Sequence, residues 1–172
     1  NDGSEEKIAD WLMTGEQWKS RIFLIRSPSN EGFSGGNNIG IEAFDARHYL
    51  LLNSDTLVRR GALKAMLDAS AREKDAGIIA PRLEGEDGAP QISCFRFHSP
   101  LSEFLAAAET APLDRLLNFA VVPLPIADKP IACGWVSFAC VLIKREALDD
   151  TGLMDDGYFM YFEDADYCRA LK

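Results

Sequence analysis

No apolar run in the sequence approaches the roughly 20 residues that a membrane-spanning helix requires, and no basic-then-apolar leader opens it. A soluble, cytoplasmic chain is therefore expected. Basic residues are scarce, 18 Lys and Arg against 27 Asp and Glu, for a net charge of −9. That balance argues against a protein that neutralises a phosphate backbone with clustered cations, so nucleic acid is not an expected partner. Histidine occurs twice, and the four cysteines, Cys94, Cys133, Cys140 and Cys168, form no C-x-x-C pair. A zinc site is not expected on that count, and reduced thiols are the expectation. Neither G-x-G-x-x-G nor the Lys-Ser/Thr of a P-loop is present, which removes the standard dinucleotide and triphosphate loops. Internal repeats and low-complexity tracts are also missing. The opening "NDGS" and the closing "CRALK", the latter inside a helical pattern, read as the ends of a fragment.

What is present is the composition of one globular domain: 172 residues, 47% hydrophobic and 26% charged. Helical spacing of Ile8, Trp11 and Leu12 predicts a helix after "DGS". "RIFLIRS" (21–27) predicts a short buried strand, "NNIGIEAFDAR" a helix, and "HYLLLNSD" a strand apolar on both faces, as in a parallel sheet covered by helices. "TLVRRGALKAMLDASARE" predicts a helix with Leu57, Leu63, Met66, Leu67 and Ala71 on one side, followed by a strand at "AGIIAP". This alternation predicts an α/β sheet. Further on, "APQISCFRF" reads as an edge strand or hairpin arm, "SPLSEFLAAAETA" as a helix, "IACGWVSFACVLIKREAL" as strand running into helix, and "EDADYCRALK" as the start of a last helix.

Three stretches carry candidate chemistry. "NEGFSGGNNIGI" (30–41) places Gly32, Gly35, Gly36 and Gly40 between a strand and a helix, where free amides suit a phosphate; a plain tight turn is the alternative. "LLLNSDT" (50–56) puts Asp55, with Asn53 beside it, at the C-terminal end of a strand, the edge at which open α/β sheets bind ligands. A carboxylate there can hold a divalent cation against a diphosphate, or can cap the next helix. "GLMDDGYFMYFEDADYC" is not a calcium loop, because Gly152 and Met154 occupy ligand positions. Its aromatic segment, Tyr158 to Phe162, is expected to pack on the core and deliver Glu163 and Asp164 to a helix N-terminus, as a base and its neighbour or simply as capping acids.

The order of these motifs, with "GWVSFACVLIKREAL" between the last two, resembles the family 2 glycosyltransferases, in particular bacterial rhamnosyltransferase-like enzymes of cell-surface polysaccharide synthesis. The resemblance spans nearly the whole chain. It implies a GT-A fold, a Rossmann-like, mostly parallel sheet flanked by helices, seen here as one domain over residues 1–172 truncated at both ends. It implies inverting transfer from a nucleotide-diphosphate sugar (dTDP-, UDP- or GDP-linked) to a saccharide or lipid-linked acceptor, with Mg2+ or Mn2+. Asp55 stands at the family's metal motif with Asn53 in place of its first acid. "FED" matches the family's acid pair, which makes Asp164 the catalytic base and Glu163 its neighbour. Asp2 and Ser4 match the tail of the first nucleotide loop, and Gly35, Gly36 and Asn38 fall on the nucleotide side. Phe138 stands where relatives usually carry glycine. Peripheral membrane association of the full-length protein is a further implication. A nucleotidyltransferase and a non-catalytic sugar-nucleotide or polysaccharide-binding domain are the competing readings.

Overall fold

The computed structural model of the chain describes residues 4–14, 21–108 and 111–172. In chain order its elements are α1 (Ser4–Thr14), α2 (Gly32–Glu42), β1 (His48–Leu52), α3 (Ala62–Arg72), β2 (Ile78–Ile79), β3 (Cys94–Phe95), α4 (Pro100–Ala108), α5 (Ala111–Leu116), β4 (Trp135–Val136), β5 (Cys140–Lys144), α6 (Arg145–Thr151) and α7 (Glu163–Ala170).

β5 is the centre of the structure. All five of its residues are buried, because strands flank it on both edges and helices cover both of its faces. Val141 and Ile143 point into the larger core with Tyr49 and Leu51 of β1, Ile41 of α2, Ala147 and Leu148 of α6, and Tyr167 of α7. Cys140 and Leu142 point the other way, onto Met66 of α3. This two-sided alternation follows from the period of two along a strand. Lys144 ends β5, and its ammonium donates to the carbonyls of Glu73 and Lys74 at 2.7 and 3.1 Å, closing the C-terminus of α3. Arg145 opens α6, bridging to Asp45 at 3.0 Å and Asp149 at 3.1 Å and reaching the Tyr49 hydroxyl.

The α/β alternation is present, but strand direction differs from the sequence expectation. β1 and β2 each pair antiparallel with β5, in the order β1-β5-β2, and β3 pairs antiparallel with β4. β1 and β2 therefore run the same way, joined through α3, but with β5 inserted between them, and the parallel sheet that was expected is not seen among the described residues. An apolar run reports burial and carries no information about the direction of its neighbour. The run buried on both faces is β5, whereas β1 alternates and leaves Leu52 exposed.

Residues 21–27 form no strand. Phe23, Leu24 and Ile25 stay exposed, with Phe23 resting on the ring of Phe44 at 5.2 Å. α3 begins at Ala62 rather than Thr56, leaving Leu57 91% exposed. Of its expected apolar face only Met66 is buried; Ser70, one turn on, is the other buried position and bonds His48 at 3.1 Å. The two-residue β2 gives α3 a narrow floor, which accommodates the Met66–Ser70 line and not the wider leucine stripe.

Candidate active site

β1 ends at Leu52, and the chain turns at once. The Thr56 amide donates to the Asn53 carbonyl at 3.1 Å, placing Ser54 and Asp55 at the tip of a tight turn. Asp55 is exposed, and no described group pairs with its carboxylate. It does not cap α3, which starts seven residues later. Asn53 is half-buried, and its amide donates to the carbonyl of Ala139 at 3.0 Å; the Thr56 hydroxyl reaches the same oxygen at 3.4 Å.

The second acidic station opens α7. Glu163 and Asp164 occupy its first turn, where unpaired amides favour ionised carboxylates. The two residues before them, Tyr161 and Phe162, both have φ of +72°, a left-handed conformation that is uncommon for side chains of this size. The aromatics of this segment do not pack on the core as expected: Phe159, Met160, Tyr161 and Phe162 are all exposed. The left-handed pair turns the chain so that the acids, not the rings, face inward. Glu163 is only 9% exposed, and its Oε2 is buried with no hydrogen-bond partner. Asp164 is half-buried. Burial pushes its carboxyl above the usual aspartate range, and the neighbouring Glu163 charge pushes the same way. Amides of Ala165, of Asp164 itself and of Phe138 pull it back down, the Ala165 contact being 2.8 Å.

The two stations meet at one dipeptide. The Phe138 amide faces the Asp164 carboxylate, and the next carbonyl, that of Ala139, receives the Asn53 amide. The short link between β4 and β5 thus has the strand-end turn on one side and the start of α7 on the other. The Phe138 side chain takes no part. It is 3% exposed and set edge-on to Tyr167 in the core, at 6.1 Å between ring centroids.

The glycine-rich stretch reaches the same neighbourhood differently from the sequence reading. It is not a loop ahead of a helix: α2 begins at Gly32 and runs through Gly35, Gly36 and Gly40. Gly32 has φ of +69°, and a Cβ there would lie 2.2 Å from the Phe159 carbonyl oxygen, which also receives the Phe33 amide at 3.1 Å. Only glycine permits this approach, which docks the start of α2 on the segment leading to Glu163. Gly35 is buried, while Gly36 is exposed with open space where a side chain would stand. Both ends of the Asn38 carboxamide are engaged by Met154, donating to its carbonyl at 2.8 Å and accepting from its amide at 3.1 Å. Asn38 thereby ties α2 to the acid-bearing segment and is not open to a ligand. Asp2 lies outside the described residues, and Ser4 is described only as the first residue of α1.

Among the described residues no three His, Cys, Asp or Glu side chains are placed to hold a metal together. One free carboxylate at a turn tip, with an amide side chain beside it, suits instead an ion such as Mg2+ that takes its remaining ligands from phosphate oxygens and water. A cavity of about 720 Å3 lies elsewhere, lined by β2, β3, the segment before β4 and the end of α7. It includes neither acidic station. The role of the Phe138–Ala139 backbone was invisible to sequence reasoning, which tracks side chains. The one signal was that "VSFAC" sits between two motifs that both need an anchor.

The family model for glycosyl transferase family 2 matches residues 1–118. Over 125 residues, 68% of the chain, the sequence is 29% identical to an N-acetylglucosaminyl-diphospho-decaprenol L-rhamnosyltransferase of Mycobacterium tuberculosis, covering 38% of that protein. Over 165 residues, 91% of the chain, it is 27% identical to a low-salt glycan biosynthesis hexosyltransferase of Haloferax volcanii, covering 48% of that protein. The chain thus spans less than half the length of these curated relatives. No solved structure matches it.

Proposed function

The chain belongs to glycosyl transferase family 2, and on that premise we propose that it carries the donor and base stations of an inverting glycosyltransferase of glycan or cell-wall synthesis. The donor is a nucleotide-diphosphate sugar, dTDP-, UDP- or GDP-linked, and the acceptor is a saccharide or lipid-linked hydroxyl. A rhamnosyl donor is favoured by the mycobacterial relative, whose name also supplies the lipid-linked acceptor. Membership also supports a GT-A fold, with the described sheet as part of a larger, mostly parallel one. The intact protein would work in the cytoplasm, at the membrane face where a lipid-linked acceptor is presented.

Asp164 is the base in this reading. As the acceptor hydroxyl attacks the anomeric carbon, Asp164 takes its proton, and the diphosphate departs from the opposite face with inversion. Its raised pKa makes it a stronger base than a free aspartate. Glu163 beside it helps keep that pKa up. Asp55, with Asn53 beside it, would hold Mg2+ or Mn2+ against the donor diphosphate, where the ion's charge stabilises the leaving group. The observation that supports this reading best is the shared Phe138–Ala139 backbone, which brings the turn carrying Asp55 and the start of α7 to adjacent peptide groups.

Asp164→Asn in the intact enzyme tests it. Transfer should fall by roughly 10²–10⁴-fold, the usual contribution of a general base, while binding of the nucleotide-sugar is retained. Undiminished transfer would remove Asp164 from the role.

A further inference from the structure

Cysteines that stand far apart in the sequence converge in the fold. Cys94, Cys133 and Cys168 line one wall of the 720 Å3 cavity and pack against the larger core, while Cys140 lies across the sheet in the smaller core. All four thiols are free. Cys94 is on β3, and Cys133 precedes Gly134, whose amide donates to the Phe95 carbonyl at 2.8 Å. A Cβ on Gly134 would lie 2.8 Å from the Phe97 nitrogen and 3.0 Å from the Phe95 oxygen, so a bare backbone is needed to hold Cys133 this close to β3. Cys94 lies close enough to Cys133 to raise its thiol pKa, an effect that the Phe95 amide opposes. Cys168, on α7, accepts the Val136 amide. Since no three such side chains are placed to share a metal, shared metal ligation does not account for the grouping. What two neighbouring thiols can do is exchange with a disulfide.

We propose that Cys94 and Cys133 are an oxidisable pair that closes to a disulfide on reaction with a low-molecular-weight disulfide such as oxidised glutathione. Cys94 gives up its proton and attacks one glutathione sulfur, releasing the first glutathione as a thiol and forming a mixed disulfide. Cys133 then gives up its proton and displaces the second glutathione. Two protein thiols are oxidised, and one glutathione disulfide is reduced to two thiols. Burial, and after it the neighbouring Cys94, pushes Cys133 up to about 11, which makes Cys133 a poor first attacker and leaves that step to Cys94. The bond would staple β3 to the segment that runs through β4 into Phe138, whose amide faces Asp164. Its formation does not depend on the proposed transferase role.

The test is to incubate the chain with oxidised glutathione, block remaining thiols by alkylation and map the digest by mass spectrometry without reduction. The expected product links the Cys94 peptide to the Cys133 peptide, leaves two of the four thiols free and reverts with dithiothreitol. Cys140→Ser should retain the link, which separates Cys133 from Cys140 on a shared peptide, and Cys94→Ala should abolish it. Four alkylated thiols, a glutathione adduct on Cys94 that never resolves, or a Cys133–Cys168 link would each overturn the proposal.

Discussion

Asp164 is held between opposing influences, and its titration has a stability consequence of definite sign. Its folded-state pKa lies above the unfolded one because burial disfavours the charge. The fold therefore favours the protonated carboxyl, a contribution fully present below the ordinary aspartate range and lost as pH rises through the raised value. Asp164→Asn, neutral at every pH, should melt at a higher temperature than the unsubstituted chain at pH 7.5, with the gap closing near pH 3. A lower melting temperature at pH 7.5 would mean that the three amides outweigh burial. Asp55 is the opposite case. Exposed and unpartnered, it can be replaced by alanine within about 0.5 kcal/mol of stability, yet calorimetry on the intact enzyme should find that Mg2+ or Mn2+ no longer strengthens nucleotide-sugar binding. The placement of both acids at element boundaries was legible in the sequence because they lie beside apolar runs. Asn38 was not: its partner Met154 is 116 positions away, and a carboxamide gripping a distant backbone leaves no local pattern.

β5 carries the packing of both cores, so damage there should exceed damage anywhere on α3. Ile143 is fully buried between β1 and β2, and Ile143→Ala should cost about 2–5 kcal/mol in urea unfolding. Leu67→Ala, on the exposed face of α3, should stay within about 0.5 kcal/mol. Apolar runs located β1, β2 and β5, and the helical period located α3, α4 and α7. Strand direction, the face of α3 and the fate of residues 21–27 were not readable, because each depends on which neighbour is present. The left-handed Tyr161 and Phe162 escaped for a related reason. Nothing in "FMYF" favours that conformation, which the surrounding contacts impose.

The whole chain carries a net charge of −9, and its described ion pairs are largely at the surface, around Glu84, Asp68 and Arg145. Surface pairs contribute little, whereas the summed excess of like charge opposes compaction over longer range. Raising salt from 10 to 150 mM shortens the screening length from about 30 to about 8 Å, so the melting temperature should rise across that interval. A fall would show that pairing dominates repulsion. At this scale composition indicated the acidic character, while the meeting of the turn after β1 with α7 required the tertiary fold.

That meeting is made by main-chain groups. A hydrogen bond from a peptide N–H or to a peptide C=O survives any exchange of the side chain above it, proline at a donor excepted. The register between the two acid-bearing turns is therefore immune to most point mutations at 138 and 139, and drift at those positions can reshape what lies beneath without unsettling what lies above.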